Sequence, residues 1–171
     1  AHGDHIRFGR TQVGLLDALL AAEPEASCDE VFEHARKEVL RFAGVEPVDP
    51  SPDFRGDLRP YQKEGLGWLY FLQRFGFGGC LADDMGLGKT VQVLALLEAR
   101  RASGTGRTSL VVVPKSLIFN WHQEAARFAP RLRVLDYTGT TRRRQANDFA
   151  DYDLILTTYG TLRADVAKLR D

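Results

Sequence analysis

Residues 81–92 read LADDMGLGKTVQ and combine a short apolar run, two closely spaced glycines and a Lys-Thr pair. The apolar run predicts a buried strand over residues 80–82, and the spacing of apolar residues that follows predicts a helix over residues 89–101. Glycines at 86 and 88 would let backbone amides converge on an anion at the positive end of that helix. This order of strand, glycine loop and helix predicts a phosphate loop of the P-loop NTPase class.

The residues of this loop have separate predicted tasks. Lys89 would pair with the β and γ phosphates of ATP, and Thr90 would place its hydroxyl on magnesium. A glycine turn followed by a surface lysine is the structural alternative, but the helix dipole disfavours a cation at this end unless an anion lies beside it. The strict pattern also has glycine where this chain has Asp83. The sequence thus predicts a catalytic pair, Lys89 and Thr90, within a nucleotide-binding set of Asp84, Met85, Gly86, Leu87, Gly88, Lys89 and Thr90.

Downstream of the loop, apolar strands alternate with helices. This alternation predicts an α/β fold in which helices cover both faces of a parallel sheet. The predicted strands span residues 110–113, 132–137 and 154–157, and the predicted helices span residues 117–128, 140–149 and 161–170.

Upstream of the loop, the pattern changes twice. A helix is predicted from Pro60 to about residue 74, although Gly65 and Gly67 each cost it about 1 kcal/mol relative to alanine, which indicates close packing against its backbone. The preceding run, EPVDPSPDFRG, holds three prolines and predicts a linker over residues 46–56. The pattern over residues 1–45 predicts a helical appendage. One helix would begin at Val13, and a capping box at residues 27–30 would begin another. The main lobe would then span residues 57–171.

The composition excludes several classes of protein. The 171 residues include 23 basic and 23 acidic side chains, so the chain is neither a generally basic nucleic-acid coat nor an acidic tail. Its two cysteines, Cys28 and Cys80, fit neither a disulfide framework nor a zinc cluster. It has no apolar run of membrane-spanning length and no signal-peptide pattern, so we expect a soluble intracellular protein without membrane contact.

Four segments occur in a characteristic order: LRPYQKEGLGWL (58–69), LADDMGLGKTVQ (81–92), VVVPKSLIFNWHQE (111–124) and LILTTYGTLR (154–163). Through them, residues 54–171 resemble the Swi/Snf family of helicase-like ATPases, which belongs to helicase superfamily two. Aspartate is common in this family where Asp83 stands, and glutamate is usual where Asp84 stands. The resemblance implies the first RecA-like lobe of an ATPase that couples ATP hydrolysis to translocation along double-stranded DNA or to remodelling.

The resemblance also assigns residues at the start of the helix that begins at Pro60. Gln62 would recognise adenine, because its amide offers both a donor and an acceptor to the base edge, and Arg59 would lie beside it in the nucleotide site. From the residues alone, Gln62 at the third helical position serves equally well in a capping box. Both interpretations stay open at this point.

Two further segments resemble the DNA-contacting elements of the family. Lys115 and Ser116 follow one predicted strand, Thr158 and Tyr159 follow another, and such residues would address the DNA backbone. The structural alternatives are helix capping by Ser116 and by Thr158. Trp121, at helical spacing, is expected in the core rather than stacked on a base.

In the related proteins, the acidic Walker B residues, the coupling motif and a second lobe follow these segments, and none of them is present before Asp171. We therefore expect these residues to bind nucleotide with negligible hydrolysis. An incomplete lobe would expose the strands at 110–113 and 154–156 as sheet edges, so we expect self-association.

Two alternatives to this function differ in what the chain would do with nucleotide. One is a stand-alone nucleotide- or DNA-binding module without turnover, and the other is a P-loop kinase, which the lack of a visible lid or acceptor site disfavours. The expected location is the cytoplasm or nucleoid, or the nucleus if the source is eukaryotic.

Overall fold

The computed structural model describes residues 44–104, 106–139 and 149–170, together with residues 30, 33 and 37. The predicted helix from Val13 lies outside the described residues. Of the next predicted helix, only residues 30, 33 and 37 are described, and these three are helical. Of the predicted helix over residues 140–149, only Phe149 is described, and it begins a 3-10 turn. The helical appendage therefore stays a prediction.

Over residues 44–104, 106–139 and 149–170, the chain contains four α-helices and three strands. Two 3-10 turns, Lys115–Leu117 and Phe149–Asp151, precede the third helix and the third strand. In chain order the elements are α1 (Pro60–Phe75), α2 (Lys89–Ala102), β1 (Ser109–Val112), α3 (Ile118–Phe128), β2 (Val134–Asp136), β3 (Leu154–Thr157) and α4 (Tyr159–Arg170).

The three strands form one parallel sheet in the order β1-β3-β2. Ile155 of β3 lies opposite Leu110 on one side and opposite Leu135 on the other. Beyond the last β1 residue, the Val113 amide donates to the Thr157 carbonyl at 2.9 Å. The predicted parallel α/β arrangement is therefore confirmed.

Both faces of the sheet are covered. On one face, Leu154 and Leu156 pack in a core cluster with residues of α1, α2 and α3. On the other face, Leu135, Tyr137 and Ile155 pack against partly buried side chains that include Leu169 of α4. Period-two alternation along β3 thus supplies one apolar set to each face, and all four residues of this strand are buried.

Two expectations about the strands are wrong. Residues 80–82 form no strand and Cys80 is exposed, because a strand needs a hydrogen-bonded neighbour and no described strand lies beside this segment. Residues 154–156 were expected at an exposed edge, but β3 is the central strand. The strand at 110–113, by contrast, agrees with its expected edge position, because β1 is paired on only one side within the described residues and Leu110 is 41% exposed.

The segment over residues 44–56 has no regular secondary structure, as its prolines predict, but it packs against the helices. Phe54 is buried, its ring stacks on Phe128 with centroids 6.0 Å apart, and the Arg55 amide donates to the Phe128 carbonyl at 2.7 Å. The Val48 amide donates to the Lys63 carbonyl of α1 at 3.0 Å. The segment is therefore hydrogen-bonded to both α1 and α3 and packs against α3.

Charged side chains add a second attachment for this segment. The Asp53 carboxylate binds Arg101 of α2 at 2.8 Å and Arg131 at 2.7 Å. Arg101 also binds the fully buried Glu98 at 2.7 Å. This hydrogen bond with Glu98 raises the pKa of Arg101, so the guanidinium stays charged between its two carboxylates.

Candidate functional site

The loop that precedes α2 depends on two glycines with positive φ. Gly86 has φ 86°, and Gly88, the N-cap residue just before α2, has φ 78° and ψ 38°. Residues with a Cβ rarely adopt this left-handed conformation. A Cβ on Gly88 would also lie 2.5 Å from Nε2 of Gln62, whereas Gly86 faces open space and Met85 is 97% exposed. The loop is therefore narrow on the side of α1 and open on the other.

The N-terminus of α2 lacks a side-chain cap. Its first-turn amides have no intrahelical acceptor, and the backbone hydrogen bond within the turn before them, from the Leu87 amide to the Asp84 carbonyl, is long at 3.4 Å. Uncapped amides at the positive end of a helix suit the oxygens of a phosphate group. The predicted phosphate loop thus has the donors it requires.

Lys89 folds back onto the loop that it follows. Its Nζ donates to the carbonyl oxygens of Asp83 at 2.5 Å and of Asp84 at 2.8 Å. These two carbonyl dipoles offset the unfavourable position of a cation at a helix N-terminus. An ammonium has three N–H groups, so Lys89 keeps one donor for an anion at the loop. The Thr90 hydroxyl makes no hydrogen bond to another described residue and is available to a ligand.

Asp83, which departs from the strict loop pattern, has a partner of its own. Its Oδ2 accepts a 2.9 Å hydrogen bond from Nε2 of Gln92, a fully buried residue of α2. Sequence reasoning missed Gln92, although it stands in the quoted stretch at one helical turn from Lys89. A glutamine at this spacing gives no sign from sequence alone that it is buried.

Gln62 makes two hydrogen bonds, one of which belongs to the capping role considered for it. Its Oε1 accepts from the Arg59 amide at 2.9 Å, which is the capping interaction. Its Nε2 donates to the Leu87 carbonyl of the loop at 3.0 Å, and the Tyr61 hydroxyl donates to the same carbonyl at 3.0 Å. The helix cap is therefore confirmed, while adenine recognition by Gln62 and Arg59 stays a prediction. Tyr61 was missed because its hydrogen bond spans a long sequence separation.

The predicted DNA-contacting residues follow two neighbouring parallel strands at the same end of the sheet. Val112 of β1 lies opposite Thr157 of β3, and the two strands are parallel. Lys115 and Ser116, which follow β1, therefore leave the sheet beside Thr158 and Tyr159, which follow β3. Lys115 and Ser116 are exposed, and Tyr159 is 64% exposed.

The structural alternatives for these residues have different outcomes. The prediction that Ser116 caps a helix is wrong, because the residue before α3 is Leu117 and Ser116 lies inside the 3-10 turn. Thr158 does cap α4, since its Oγ1 accepts from the Thr161 amide at 3.3 Å. Trp121 packs against the core, as expected. The Ser116 hydroxyl thus stays available for an external partner.

The described ranges contain neither a metal cluster nor a membrane span. Over residues 44–104, 106–139 and 149–170, no three His, Cys, Asp or Glu side chains lie together as metal ligands. Within the same ranges, no helix has both the length and the apolar character that crossing a bilayer requires.

Comparison with known proteins gives a consistent result. Residues 61–171 match the family described as the SNF2-related domain. Over 124 residues the chain is 48% identical to Bacillus subtilis YwqA, which is named as a putative ATP-dependent helicase/translocase, and the match covers 70% of this chain and 13% of YwqA. Over 108 residues it is 44% identical to the mouse SWI/SNF-related matrix-associated actin-dependent regulator of chromatin subfamily A containing DEAD/H box 1, covering 60% of this chain and 11% of that protein.

A solved structure shows the same fold. The Sulfolobus solfataricus SWI2/SNF2 ATPase core in complex with dsDNA superposes with a TM-score of 0.63 at 40% identity, covering 74% of this chain and 25% of that chain. The chain therefore spans a quarter or less of each of these three proteins.

Proposed function

The chain belongs to the SNF2-related domain family of helicase superfamily two, and on this basis we propose that its loop over residues 83–90 binds ATP with magnesium. The observation that carries the proposal is the position of Lys89, whose ammonium lies at the start of α2 beside uncapped helix amides. Phosphate oxygens would take these amides and the free N–H of Lys89. Thr90 would supply the protein oxygen to magnesium, which would offset phosphate charge.

Base recognition would come from the first turn of α1. Gln62 keeps one amide hydrogen and one carbonyl lone pair beyond its two hydrogen bonds, and adenine offers a matching donor and acceptor. Because Gln62 already contacts the Leu87 carbonyl, a base bound there would lie next to the phosphate loop. Arg59, exposed at the same turn, would line the entrance.

We further propose that the longer protein couples ATP hydrolysis to movement along double-stranded DNA, with or without remodelling of bound proteins. On this chain, the residues that follow β1 and β3 would contact the DNA backbone. These residues are Lys115, Ser116, Thr158 and Tyr159. A lysine, hydroxyls and free amides read phosphate and not base edges, so binding would be independent of sequence and sensitive to salt. The Sulfolobus core was solved in complex with dsDNA, which supports this class of partner.

Nucleotide titration tests the first proposal. A fluorescent ATP analogue with magnesium is titrated into the parent chain, Lys89→Ala and Lys168→Ala, the last being an exposed lysine of α4 outside the site. We expect Lys89→Ala to lose at least tenfold in affinity, because an ion pair with phosphate is removed. Equal affinity of Lys89→Ala and the parent would overturn the assignment.

Duplex binding tests the second proposal. Anisotropy of labelled duplexes of different sequence is followed across a salt series for the parent, Lys115→Ala and Lys168→Ala. We expect Lys115→Ala to weaken binding equally for all sequences and to lower the salt slope by about one. Affinity that varied strongly with base sequence at constant salt would contradict binding through the DNA backbone.

A further inference from the structure

A buried amide connects α2 with the first residue of the loop over residues 83–90. Gln92 is fully buried, and its Nε2 donates to Oδ2 of Asp83 at 2.9 Å. The carbonyl oxygen of the same Asp83 accepts from Nζ of Lys89 at 2.5 Å. Asp83 is therefore held twice by α2, through its side chain by Gln92 and through its main chain by Lys89.

The other end of this amide faces α1. Oε1 of Gln92 is buried and has no hydrogen-bond partner among the described residues. It lies against Gly65, where an added Cβ would overlap Oε1 and lie 3.0 Å from Cδ of Gln92. Rotating the amide would turn Oε1 toward the Asp83 carboxylate, so the carboxylate fixes the orientation that leaves Oε1 unpaired. Only glycine at position 65 leaves room for this arrangement.

An unpaired buried amide oxygen destabilises a fold, and an apolar side chain of similar shape would avoid that cost. A glycine inside α1 is also unfavourable compared with alanine. Packing alone therefore accounts for neither Gln92 nor Gly65. Both residues are accounted for by the hydrogen bond that Gln92 makes to Asp83.

We propose that Gln92 is a positioning residue for the phosphate loop. Through Asp83 it keeps in place the carbonyl that holds the Lys89 ammonium, and Gly65 provides the clearance that it needs. The proposal deepens the nucleotide-binding function and rests on it for its biological purpose. The effect of Gln92 on Lys89 can be measured in the nucleotide-free chain, through the reactivity of the Lys89 amine.

The first test measures the reactivity of lysine amines. The nucleotide-free chain is acetylated with an N-hydroxysuccinimide ester, and mass spectrometry gives the rate at Lys89 relative to Lys168, the exposed reference. In Gln92→Met the side-chain shape is kept and both polar atoms are removed. We expect the relative rate at Lys89 to rise about fivefold, the population change that one net hydrogen bond supports. The thermal midpoint should stay equal or rise, because the unpaired oxygen is gone.

The second test exchanges donor and acceptor. Gln92→Glu alone places two carboxylates against each other and should raise the rate at Lys89. Adding Asp83→Asn lets an asparagine amide donate to the new carboxylate, and we expect the double variant to return to the parent rate. Gly65→Ala, which pushes the parent Gln92 aside, should raise the rate at Lys89 in the same way as Gln92→Met.

The outcomes separate this proposal from the nucleotide-binding function. An unchanged Lys89 rate in Gln92→Met, or a double exchange that fails to restore the parent rate, would overturn the positioning role even if ATP binds. A changed rate with restoration would support the role even if the parent chain failed to bind ATP. A fall of the Gln92→Met midpoint, together with equal increases at Lys89 and Lys168, would indicate general loosening and overturn the proposal.

Discussion

The hydroxyl of Tyr61 lies 3.0 Å from the carbonyl oxygen of Leu87, and this hydrogen bond joins the first turn of α1 directly to the loop over residues 83–90. Gln62 donates to the same oxygen at 3.0 Å. Two neighbouring side chains of α1 thus share one acceptor of the loop. The position of the loop therefore depends on α1 as well as on the helix that the loop opens.

Removing the Tyr61 hydroxyl should weaken the loop without changing its charge. We expect Tyr61→Phe to lower the free energy of unfolding by about 1 kcal/mol, the net contribution of one hydrogen bond. We also expect the variant to bind nucleotide about fivefold more weakly. Titration with ATP and with inorganic tripolyphosphate measures the effect. Because Tyr61 contacts the loop and not the base, the affinities for ATP and for tripolyphosphate should fall by the same factor. A loss confined to ATP would place Tyr61 in the base site instead.

Gly67 of α1 should be intolerant of any side chain. A Cβ there would overlap the carbonyl oxygen of Glu46 and lie 3.0 Å from Val45. Overpacking costs up to about 3 kcal/mol, and the better helix propensity of alanine offsets about 1 kcal/mol of that cost. We therefore expect Gly67→Ala to lower the free energy of unfolding by about 2 kcal/mol. Gly78→Ala, which has open space around its Cβ, is the matched control. Denaturant unfolding measures both variants, and equal stability would contradict the close contact with residues 45–46.

Glu124 on α3 should destabilise the folded chain at neutral pH. Burial raises the pKa of its carboxyl, although Arg127 partly opposes this, and Oε2 has no hydrogen-bond partner among the described residues. As pH falls through the raised pKa, the folded form binds the proton first and becomes relatively more stable. We expect Glu124→Gln to have the higher thermal midpoint at pH 7, with an advantage that shrinks toward about pH 4, where the unfolded carboxyl also binds its proton. An advantage independent of pH would show that charge burial is not the cause.

Asp153 should have the opposite dependence on pH. Burial alone would raise the pKa of its carboxyl, but hydrogen bonds from the Arg133 side chain and amide outweigh burial and lower it. The resulting stability is present above the unfolded pKa, near 4, and is lost as pH falls through the lowered folded value. We expect Asp153→Asn to lower the free energy of unfolding at pH 7 by about 1 kcal/mol. The loss is small because Arg133 is largely exposed. Unfolding curves of Asp153→Asn and the parent should converge once the pH has fallen below the lowered pKa of the folded Asp153 carboxyl.

Self-association should depend on the outer edge of β1. Among the described residues this strand pairs only with β3, and Leu110 is 41% exposed beside the unpaired edge. We expect the sedimentation coefficient of the parent to rise with concentration and that of Leu110→Lys to rise less, because a charged edge disfavours strand pairing. Val166→Lys, at an exposed position of α4, is the control. A parent chain that stays monomeric at all concentrations would contradict the expectation.

The sequence predicted those features that arise from local chemistry. The glycines at 86 and 88, the Lys-Thr pair and the apolar period of α2 belong to one continuous stretch, so the loop and its helix were predictable. The close packing at Gly65 and Gly67 was also predicted, because glycine within a helix is unfavourable unless another group approaches its backbone closely. The partners at those glycines, Gln92 and Glu46, come from other parts of the chain and could not be assigned.

The errors concern pairings between distant segments. Residues 80–82 have the composition of a buried strand, but strand formation depends on a neighbour that composition does not specify. The central position of β3 follows from its pairing with both β1 and β2, and an apolar strand at an edge has the same sequence pattern as one at the centre. Ser116 fits a helix cap equally well, and only the 3-10 turn decides that Leu117 takes that position.

The strand order also fixes when the sheet can form during synthesis. Within the described residues, β1 and β2 pair only with β3, which is the last of the three strands along the chain. At roughly 5–20 residues per second, the ribosome completes β1 several seconds before β3 exists. During that interval Leu110 and Val111 have no strand beside them in this sheet. We therefore expect the edges of β1 and β2 to stay unpaired in this sheet until residue 157 has left the exit tunnel, and a ribosomal pause between β2 and β3 would lengthen that exposure.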